Sequence, residues 1–145
     1  MKSQFVIDIN EMKPLIHSNR PVVVLDDDIF QISLVKECYS LSGRKNELIC
    51  FSNSDEFLAY YTELEEGKKT MPELILLDIN MPKLNGFDIL NYLKKKVVFN
   101  DIPIIVMFTA SDSEQDKDKA RSMKADGYLS KPYSINDYIK FFKNL

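Results

Sequence analysis

After residue 20, short aliphatic runs alternate with longer segments in which apolar residues recur every three or four positions. Such short runs are typical of strands that are buried on both faces. They are PVVVL (21–25), ELICF (47–51), ELILL (73–77), IPIIVMF (102–108) and GYLS (127–130). Strict alternation of strands and helices predicts an α/β domain in which helices cover both faces of a five-stranded parallel sheet.

Apolar stripes at helical spacing lie between these runs. In chain order they are Phe30, Leu34, Cys38 and Leu41; Phe57, Tyr60, Tyr61 and Leu64; Phe87, Leu90, Leu93 and Val97; and finally Ile135, Tyr138, Ile139, Phe142 and Leu145. Gly43 is a candidate C-cap, and Asn53 and Glu56 have capping-box spacing. The polar segment after Ser111 begins with acidic and ends with basic residues, which predicts a fourth helix.

The chain of 145 residues has the length of one domain. We expect an N-terminal extension over residues 1–20 and the domain itself over residues 21–145. In the extension, FVIDI (5–9) is compatible with an edge strand or a docked turn, and Pro14 interrupts any helix.

The composition excludes several classes of function. The 22 acidic and 19 basic residues give a net charge of -3, and no basic stripe is visible, which disfavours direct binding to nucleic acid. No apolar run is long enough to span a membrane, and the N-terminus lacks the build of a signal peptide, so we expect a cytoplasmic protein. Cys38 and Cys50 are not spaced for a metal site, and we expect reduced thiols.

Polar residues follow four of the five predicted strands. Asp26–Asp28 follow the first, Asp78 the third, Thr109 ends the fourth, and Lys131 follows the fifth. In a parallel sheet these positions meet at one edge, where ligands bind in open α/β folds. Carboxylates packed this closely require a counter-charge, and a hard divalent cation such as Mg²⁺ is the simplest one.

The same edge has the groups that a phosphoryl ligand requires. The ammonium of Lys131 is suited to phosphate oxygens, and the Thr109 hydroxyl can donate one further hydrogen bond. Because a carboxylate can act as a nucleophile, Asp78 is a candidate covalent acceptor of the phosphoryl group.

These motifs resemble a known family. VVVLDDD, LILLDINMP followed by Asn85-Gly86, TA after the fourth strand, and GYLSKP occur in the order typical of two-component response regulator receiver domains of the stand-alone, chemotaxis type. The resemblance covers residues 21–145 and implies a flavodoxin-like, doubly wound sheet with strand order 2-1-3-4-5. It also implies a phosphoacceptor signalling domain and not an enzyme, apart from self-catalysed phosphorylation and dephosphorylation.

Carried over position by position, the resemblance makes Asp78 the phosphoacceptor and Lys131 the cation that pairs with the phosphoryl group. It makes Asp27 the direct ligand of Mg²⁺ and Asp26 its acidic partner. Asp78 and the backbone carbonyl of Asn80 would complete the protein's share of the metal shell.

The resemblance also implies a switch and partners. Thr109 would be the switch hydroxyl, Tyr128 the aromatic residue that changes position on activation, and Pro132 would follow a cis peptide bond that orients the lysine. The chain has one more residue between Pro103 and Thr109 than the family pattern, which a bulge or a shifted strand start would absorb. The phosphoryl donor would be a histidine kinase or phosphotransfer protein, and an unknown downstream protein would receive the signal.

Two alternatives remain at this point. VVVLDDDIF also fits the opening of haloacid dehalogenase-like phosphatases, with Asp26 as nucleophile, Asp28 as acid/base, and Thr109 and Lys131 as later motifs. This reading gives no role to LLDINMP and finds no later acidic strand end for its metal. A degenerate receiver that acts only as an interaction module is the other alternative, although Asp78, Lys131 and the acidic pair are all present.

Overall fold

A computed structural model describes residues 5–7, 14–96, 99 and 101–145. Five parallel strands form one sheet in this part of the chain, in the order 2-1-3-4-5. Their bounds are β1 Val22–Leu25, β2 Leu48–Phe51, β3 Leu74–Leu77, β4 Ile104–Thr109 and β5 Gly127–Ser130. This is the predicted flavodoxin-like α/β fold, and each strand lies within two residues of its predicted start and one of its predicted end.

Five helices connect the strands or follow them within the described residues. Their bounds are α1 Ile29–Ser42, α2 Ser54–Glu65, α3 Gly86–Lys94, α4 Glu114–Ser122 and α5 Ile135–Lys143. Buried side chains of α1 and α5 pack on one face of the sheet, and those of α2, α3 and α4 pack on the other. The central strands are buried on both sides, which explains their continuous aliphatic sequence.

Strand β4 is longer than its neighbours because it pairs with them over different spans. It pairs with β3 from Ile104 to Met107 and with β5 from Val106 to Thr109. Both ladders run without an interruption, so no bulge accommodates the residue inserted between Pro103 and Thr109. The shifted strand start, the other expected solution, stays a prediction.

The helix that follows β1 is oriented differently from the prediction. Phe30 is 81% exposed and Leu41 is 56% exposed, whereas Ile32 and Val35 are buried together with Cys38. The predicted stripe is confirmed at Cys38 and at Leu34, which packs against the same cluster, and was wrong at Phe30 and Leu41. Because α1 carries apolar residues nearly all round, spacing alone does not fix its buried face. Ile135 of α5 is likewise exposed, and Val97 of the third stripe lies outside the described residues.

Side-chain caps begin the helices close to their predicted starts. Asp28 accepts hydrogen bonds from the backbone of Phe30 and Gln31, and Asn53 accepts one from Glu56. Asn85 forms a reciprocal capping box at the start of α3. Caps of this kind satisfy backbone donors that have no partner within the helix.

Part of the N-terminal extension packs against the domain. Val6 forms a parallel bridge with Gly127 at the outer edge of β5. Farther along, Leu15 is buried and the Ile16 amide donates to the carbonyl of Leu145. Of the two expectations for this segment, the described residues show a docked segment with a single bridge at Val6 and no regular strand, while Ile9 lies outside the described residues.

Two further sequence-based expectations can be compared with this fold. Cys38 and Cys50 are free thiols, as expected. None of the helices in the described ranges is long and apolar enough to cross a membrane.

Candidate functional site

Asp26 and Asp78 are neighbours because β1 and β3 pair in register up to their last residues. Leu25 is opposite Leu77, so the residue after each strand emerges at the same level of the sheet. The backbone amide of Asp78 donates to the carbonyl of Leu25 over 3.0 Å, which holds the two strand ends together. The edge of the sheet at which the strands end therefore brings together the carboxylates of Asp26 and Asp78, which are 52 positions apart in the sequence.

Three carboxylates form one cluster at this edge. One oxygen each from Asp26, Asp27 and Asp78 lies within 4.8 Å of the others. Asp26 and Asp78 are only 2% and 7% exposed, whereas Asp27 is open to solvent. Asp28 does not belong to this cluster, because its side chain caps α1.

Lys131 reaches into the cluster from the end of β5. Its Nζ lies 2.7 Å from Oδ2 of Asp26 and 3.5 Å from Oδ1 of Asp78. Its backbone amide donates to the carbonyl of Thr109 over 2.8 Å. The ammonium is thus the counter-charge of the two buried carboxylates in this structure.

The cis peptide bond expected before Pro132 is not found. The cis bond in the described part of the chain joins Ile102 and Pro103, at the other end of the sheet. Pairing of the Lys131 amide with the Thr109 carbonyl already directs the chain at this point.

Opposing influences act on the carboxyl of Asp78, the candidate acceptor. The net effect raises the pKa of Asp78 from 3.8 to about 6: burial raises it, the nearby Lys131 ammonium acts to lower it, and the charge of Asp26 acts to raise it. Burial is the largest of these influences because it disfavours the ionised form. Asp78 is therefore a carboxyl whose ionisation depends on the cations placed beside it.

Thr109 is fully buried at the end of β4. Alternation along the strand places it on the same face as Met107, whose partner on β5 is Tyr128. The Thr109 Oγ1 accepts a hydrogen bond from the Ser111 amide at 3.3 Å. The candidate switch hydroxyl is thus engaged with the loop that leads into α4.

The ring of Tyr128 is already buried, and its hydroxyl donates to the carbonyl of Ser111 over 2.8 Å. The same loop residue therefore contacts both members of the predicted switch pair. Sequence reasoning did not assign Ser111 a role, and its position two residues after Thr109 is the signal that would have found it.

Gly86 is a second residue whose role the sequence did not reveal. A Cβ atom at this position would lie 2.3 Å from the carbonyl oxygen of Asp78 and 2.9 Å from the carbonyl carbon. Its amide also donates to the carbonyl of Ile79. The Asn85-Gly86 pair in the sequence indicated a break in the chain, but the specific need for glycine is the close approach of α3 to the backbone of Asp78.

A pocket of about 100 Å³ adjoins the cluster on the side of β2. Asp27 lines it together with Met81, Pro82 and Lys83 of the loop after Asp78, and residues 52–55 line the other side. Asn80 lies exposed in the same loop. Its carbonyl as a metal ligand stays a prediction.

The donor set fits a hard divalent cation. The three clustered side chains offer carboxylate oxygens, which magnesium and manganese prefer over nitrogen or sulfur. Asp27 is exposed, so a cation bound there would keep contact with water. An arrangement of this kind suits a cation that retains part of its water shell.

Comparison with known proteins decides the family. A sequence model of the response regulator receiver domain matches residues 22–143. The chain belongs to this family. Its members are phosphoacceptor signalling domains of two-component systems, and the motifs that suggested the resemblance lie in the matched region.

Individual relatives agree with this assignment. The chain is 32% identical over 117 residues to the alkaline phosphatase synthesis transcriptional regulatory protein PhoP of Bacillus subtilis, covering 80% of this chain and 44% of PhoP. The Mn²⁺-bound response regulator Rcp1 is 27% identical, with a TM-score of 0.71 over 86% of this chain and 89% of Rcp1. The phosphorylated cyanobacterial phytochrome response regulator RcpA shares the fold, with 24% identity and a TM-score of 0.74 over 87% of this chain and 90% of RcpA.

The phosphatase alternative is not supported. Its proposed acid/base, Asp28, accepts hydrogen bonds from two backbone amides as the cap of α1. Its proposed nucleophile, Asp26, is paired with Lys131, while Asp78 occupies the adjacent strand end. A receiver domain accounts for all of these positions.

Proposed function

We propose that this receiver domain accepts a phosphoryl group on Asp78 from a histidine kinase or phosphotransfer protein. The observation that carries the proposal is the position of the Asp78 carboxylate, which lies in a cluster with Asp26 and Asp27 and 3.5 Å from the Lys131 ammonium. Mg²⁺ is the proposed cation, held by Asp26, Asp27, Asp78 and the carbonyl of Asn80. When bound, it neutralises the carboxylates and the charge of the phosphoryl oxygens.

The transfer is a displacement at phosphorus. An oxygen of the Asp78 carboxylate forms the new bond to phosphorus, and the bond between phosphorus and the donor's imidazole nitrogen breaks. The electron pair of the broken bond remains on the imidazole, which takes up a proton as needed. The product is an acyl phosphate on Asp78 and a free histidine on the donor.

Lys131 changes partners in this proposal. In the structure its ammonium is closer to Asp26 than to Asp78. Once a divalent cation balances the carboxylates, the ammonium is available to pair with a phosphoryl oxygen. The Thr109 hydroxyl would donate to another phosphoryl oxygen and would leave its contact with the Ser111 amide.

An apolar surface beside the cluster supports a protein as the phosphoryl donor. Phe30 lies at the start of α1, and Tyr133, which is 98% exposed, lies two residues after Lys131. Ile29 and Ile135 are also exposed, and α1 and α5 pack side by side. We call Ile29, Phe30, Tyr133 and Ile135 the apolar rim, and we infer that the donor contacts it.

The output of the domain is a contact with a downstream protein and not a released product. We infer that the chain acts in the cytoplasm, where kinases and phosphotransfer proteins have access to it. Apart from forming and hydrolysing its own acyl phosphate, it carries out no enzymatic turnover.

Intact-mass spectrometry with acetyl phosphate and Mg²⁺ tests the proposal. The wild-type chain should gain one phosphoryl group, which is stable in acid and labile in base, and Asp78→Asn should gain none. Asp28→Ala is the matched control, because it removes a neighbouring carboxylate that only caps α1. Labelling that persists in Asp78→Asn but disappears in Asp26→Asn would overturn the proposal.

A further inference from the structure

The outer edge of β5 is occupied by the chain's own N-terminal extension. The Val6 amide donates to the carbonyl of Asp126 over 2.9 Å, and the Tyr128 amide donates to the carbonyl of Val6 over 2.7 Å. These two hydrogen bonds surround the bridge between Val6 and Gly127. Val6 thus adds a one-residue pairing to the sheet on the outer side of β5.

The side chains around this bridge alternate between the two faces, as those of a strand do. Val6 is almost fully buried in the cluster formed by α1 and α5. Phe5 packs against the opposite cluster, which contains Tyr128. The guanidinium of Arg121, on α4, lies 4.8 Å from the centre of the Phe5 ring, a cation–π contact.

Gly127 is shaped to receive this segment. A Cβ atom on Gly127 would lie 2.6 Å from the Val6 carbonyl oxygen and 2.8 Å from the Val6 Cβ. Its φ is not in the left-handed region, so backbone conformation does not require glycine here. The close approach of Val6 is what requires it, which indicates that the docked position is a specific one.

A short series of contacts connects this bridge to the candidate site. The Ser111 amide donates to Thr109 Oγ1, and the Tyr128 hydroxyl donates to the Ser111 carbonyl. The backbone of Tyr128 then donates to Val6. Ser111, whose carbonyl accepts from the Tyr128 hydroxyl, is therefore also bound to Thr109, the proposed switch residue.

We propose that the β5 edge is a strand-docking site for residues 5–7 of the same chain, and that phosphorylation of Asp78 weakens this docking. The inference rests on the proposed function. When the Thr109 hydroxyl turns to the phosphoryl group, the Ser111 amide loses its acceptor, and the loop that anchors Tyr128 rearranges. The extension, held at this point by two backbone hydrogen bonds and the packing of Phe5 and Val6, responds to that rearrangement.

The extension stays close to the sheet when Val6 is released, because its other end is fixed. Glu73 at the start of β3 is buried and accepts hydrogen bonds from the His17 amide and the Ser18 hydroxyl. The side chain of Asn46 donates to the carbonyls of Ser18 and Arg20. Docking of residues 5–7 is therefore an intramolecular equilibrium, which a modest free energy can shift.

Amide hydrogen exchange on the full chain tests the inference, with beryllofluoride and Mg²⁺ as the mimic of the phosphoryl group. Exchange of the Val6 and Tyr128 amides should increase by at least about fivefold, the lower range of allosteric coupling. By reciprocity, displacing the segment should tighten the binding of beryllofluoride. Gly127→Ala should displace residues 5–7 from β5 through the added methyl. Val6→Pro should displace them without a change in β5, because it removes the amide donor of Val6.

Tyr128→Phe separates the coupling from the docking. It removes the hydroxyl that contacts Ser111 and keeps the ring, so the variant should bind beryllofluoride without the response at Val6. Tyr92→Phe removes the hydroxyl of a half-exposed residue on α3, to which no role in the site is assigned, and should respond like wild type.

Three results would overturn the inference. If amides around Asp78 respond to beryllofluoride while exchange at Val6 does not, the docking is uncoupled and the proposed function still holds. If beryllofluoride produces no response even around Asp78, the proposed function fails and this inference fails with it. If protection of Val6 rises with protein concentration, the strand comes from a second copy and docking within one chain is wrong.

Discussion

The Asp78 carboxyl is the residue at which the requirements of folding and of chemistry conflict. The fold buries it at the end of a strand, and burial disfavours the charge that a nucleophile needs. Lys131, placed 3.5 Å away, partly offsets that cost. A bound divalent cation would offset the remainder, so ionisation of Asp78 depends on binding of that cation.

The raised pKa of Asp78 predicts how the metal-free protein responds to pH. The folded state keeps the proton up to about pH 6, whereas the unfolded chain releases it near 3.8. Since the folded pKa is the higher one, the contribution of this group to stability is complete below the lower value and is lost as the pH rises through about 6. Denaturant unfolding in a chelator between pH 4 and 7 measures the loss. Asp78→Asn should lack this part of the pH dependence, and an unchanged profile in that variant would contradict the assignment.

Gly86→Ala should damage the site without altering any charged group. The added methyl would clash with the backbone carbonyl of Asp78, and relieving the clash should cost roughly 1–3 kcal/mol of the free energy of unfolding. We expect slower phosphorylation by acetyl phosphate because the acceptor loop is displaced.

Gly67→Ala is the control for Gly86→Ala. Its φ is +72°, so alanine costs stability there, on the order of 1 kcal/mol, but nothing lies within 4 Å of the added methyl. This variant should unfold more readily and still phosphorylate at the wild-type rate. Equal rates in both variants would contradict the role assigned to Gly86.

At the scale of elements, much of the fold follows from local sequence. Uninterrupted aliphatic runs indicated all five strands, because a parallel strand is buried on both faces. The face of α1 could not be predicted, since its apolar residues lie on several sides and only packing against α5 selects among them. Spacing also could not reveal the need for Gly86 and Gly127, because each is constrained by a backbone segment that approaches from elsewhere in the chain.

Only part of the candidate site could be predicted, because some of its contacts join segments that are far apart in the sequence. The clustering of Asp26, Asp27 and Asp78 follows from the topology alone, since all three follow strands that end at one edge. Which of the two buried carboxylates the Lys131 ammonium approaches more closely depends on side-chain geometry that no motif encodes. The hydrogen bond between Tyr128 and Ser111 could not be predicted from the sequence, because it connects a strand to a loop 17 positions away.

The exposure of Phe30 at the start of α1, where the apolar stripe predicted burial, leads to a prediction about the phosphoryl donor. Replacing Phe30 or Tyr133 of the apolar rim by alanine should slow transfer from the cognate phosphotransfer protein by about tenfold, the effect of losing an interface residue that contributes about 1.4 kcal/mol. Acetyl phosphate does not need that surface, so its rate should be unchanged. Leu41→Ala, on an exposed part of α1 at the opposite end of the helix, is the control. Equal losses with both donors would show that the rim serves the chemistry and not the docking.

At the scale of the whole molecule, we expect the three consecutive aspartates after β1 to divide between metal binding and helix capping. Mg²⁺ should stabilise the folded chain by about 1.4 kcal/mol at ten times its dissociation constant. Asp27→Ala should lose most of this gain, because it removes the most exposed of the three clustered carboxylates. Thermal unfolding with and without Mg²⁺ measures the difference.

Asp28→Ala is the matched control for Asp27→Ala. It should lower the free energy of unfolding by about 1 kcal/mol through the missing helix cap and keep the full response to Mg²⁺. An unfolding midpoint that is indifferent to Mg²⁺ in the wild-type chain would contradict the metal site.

The most direct test of the central claim is chemical mapping of the phosphoryl group. The chain is phosphorylated with acetyl phosphate and Mg²⁺, treated with borohydride, which reduces an aspartyl phosphate to homoserine, and digested for peptide mass spectrometry. We predict homoserine at position 78 and unmodified aspartate at positions 26, 27 and 28. Homoserine at any of those three positions, or its absence at position 78 in a chain that has gained a phosphoryl group, would contradict the account.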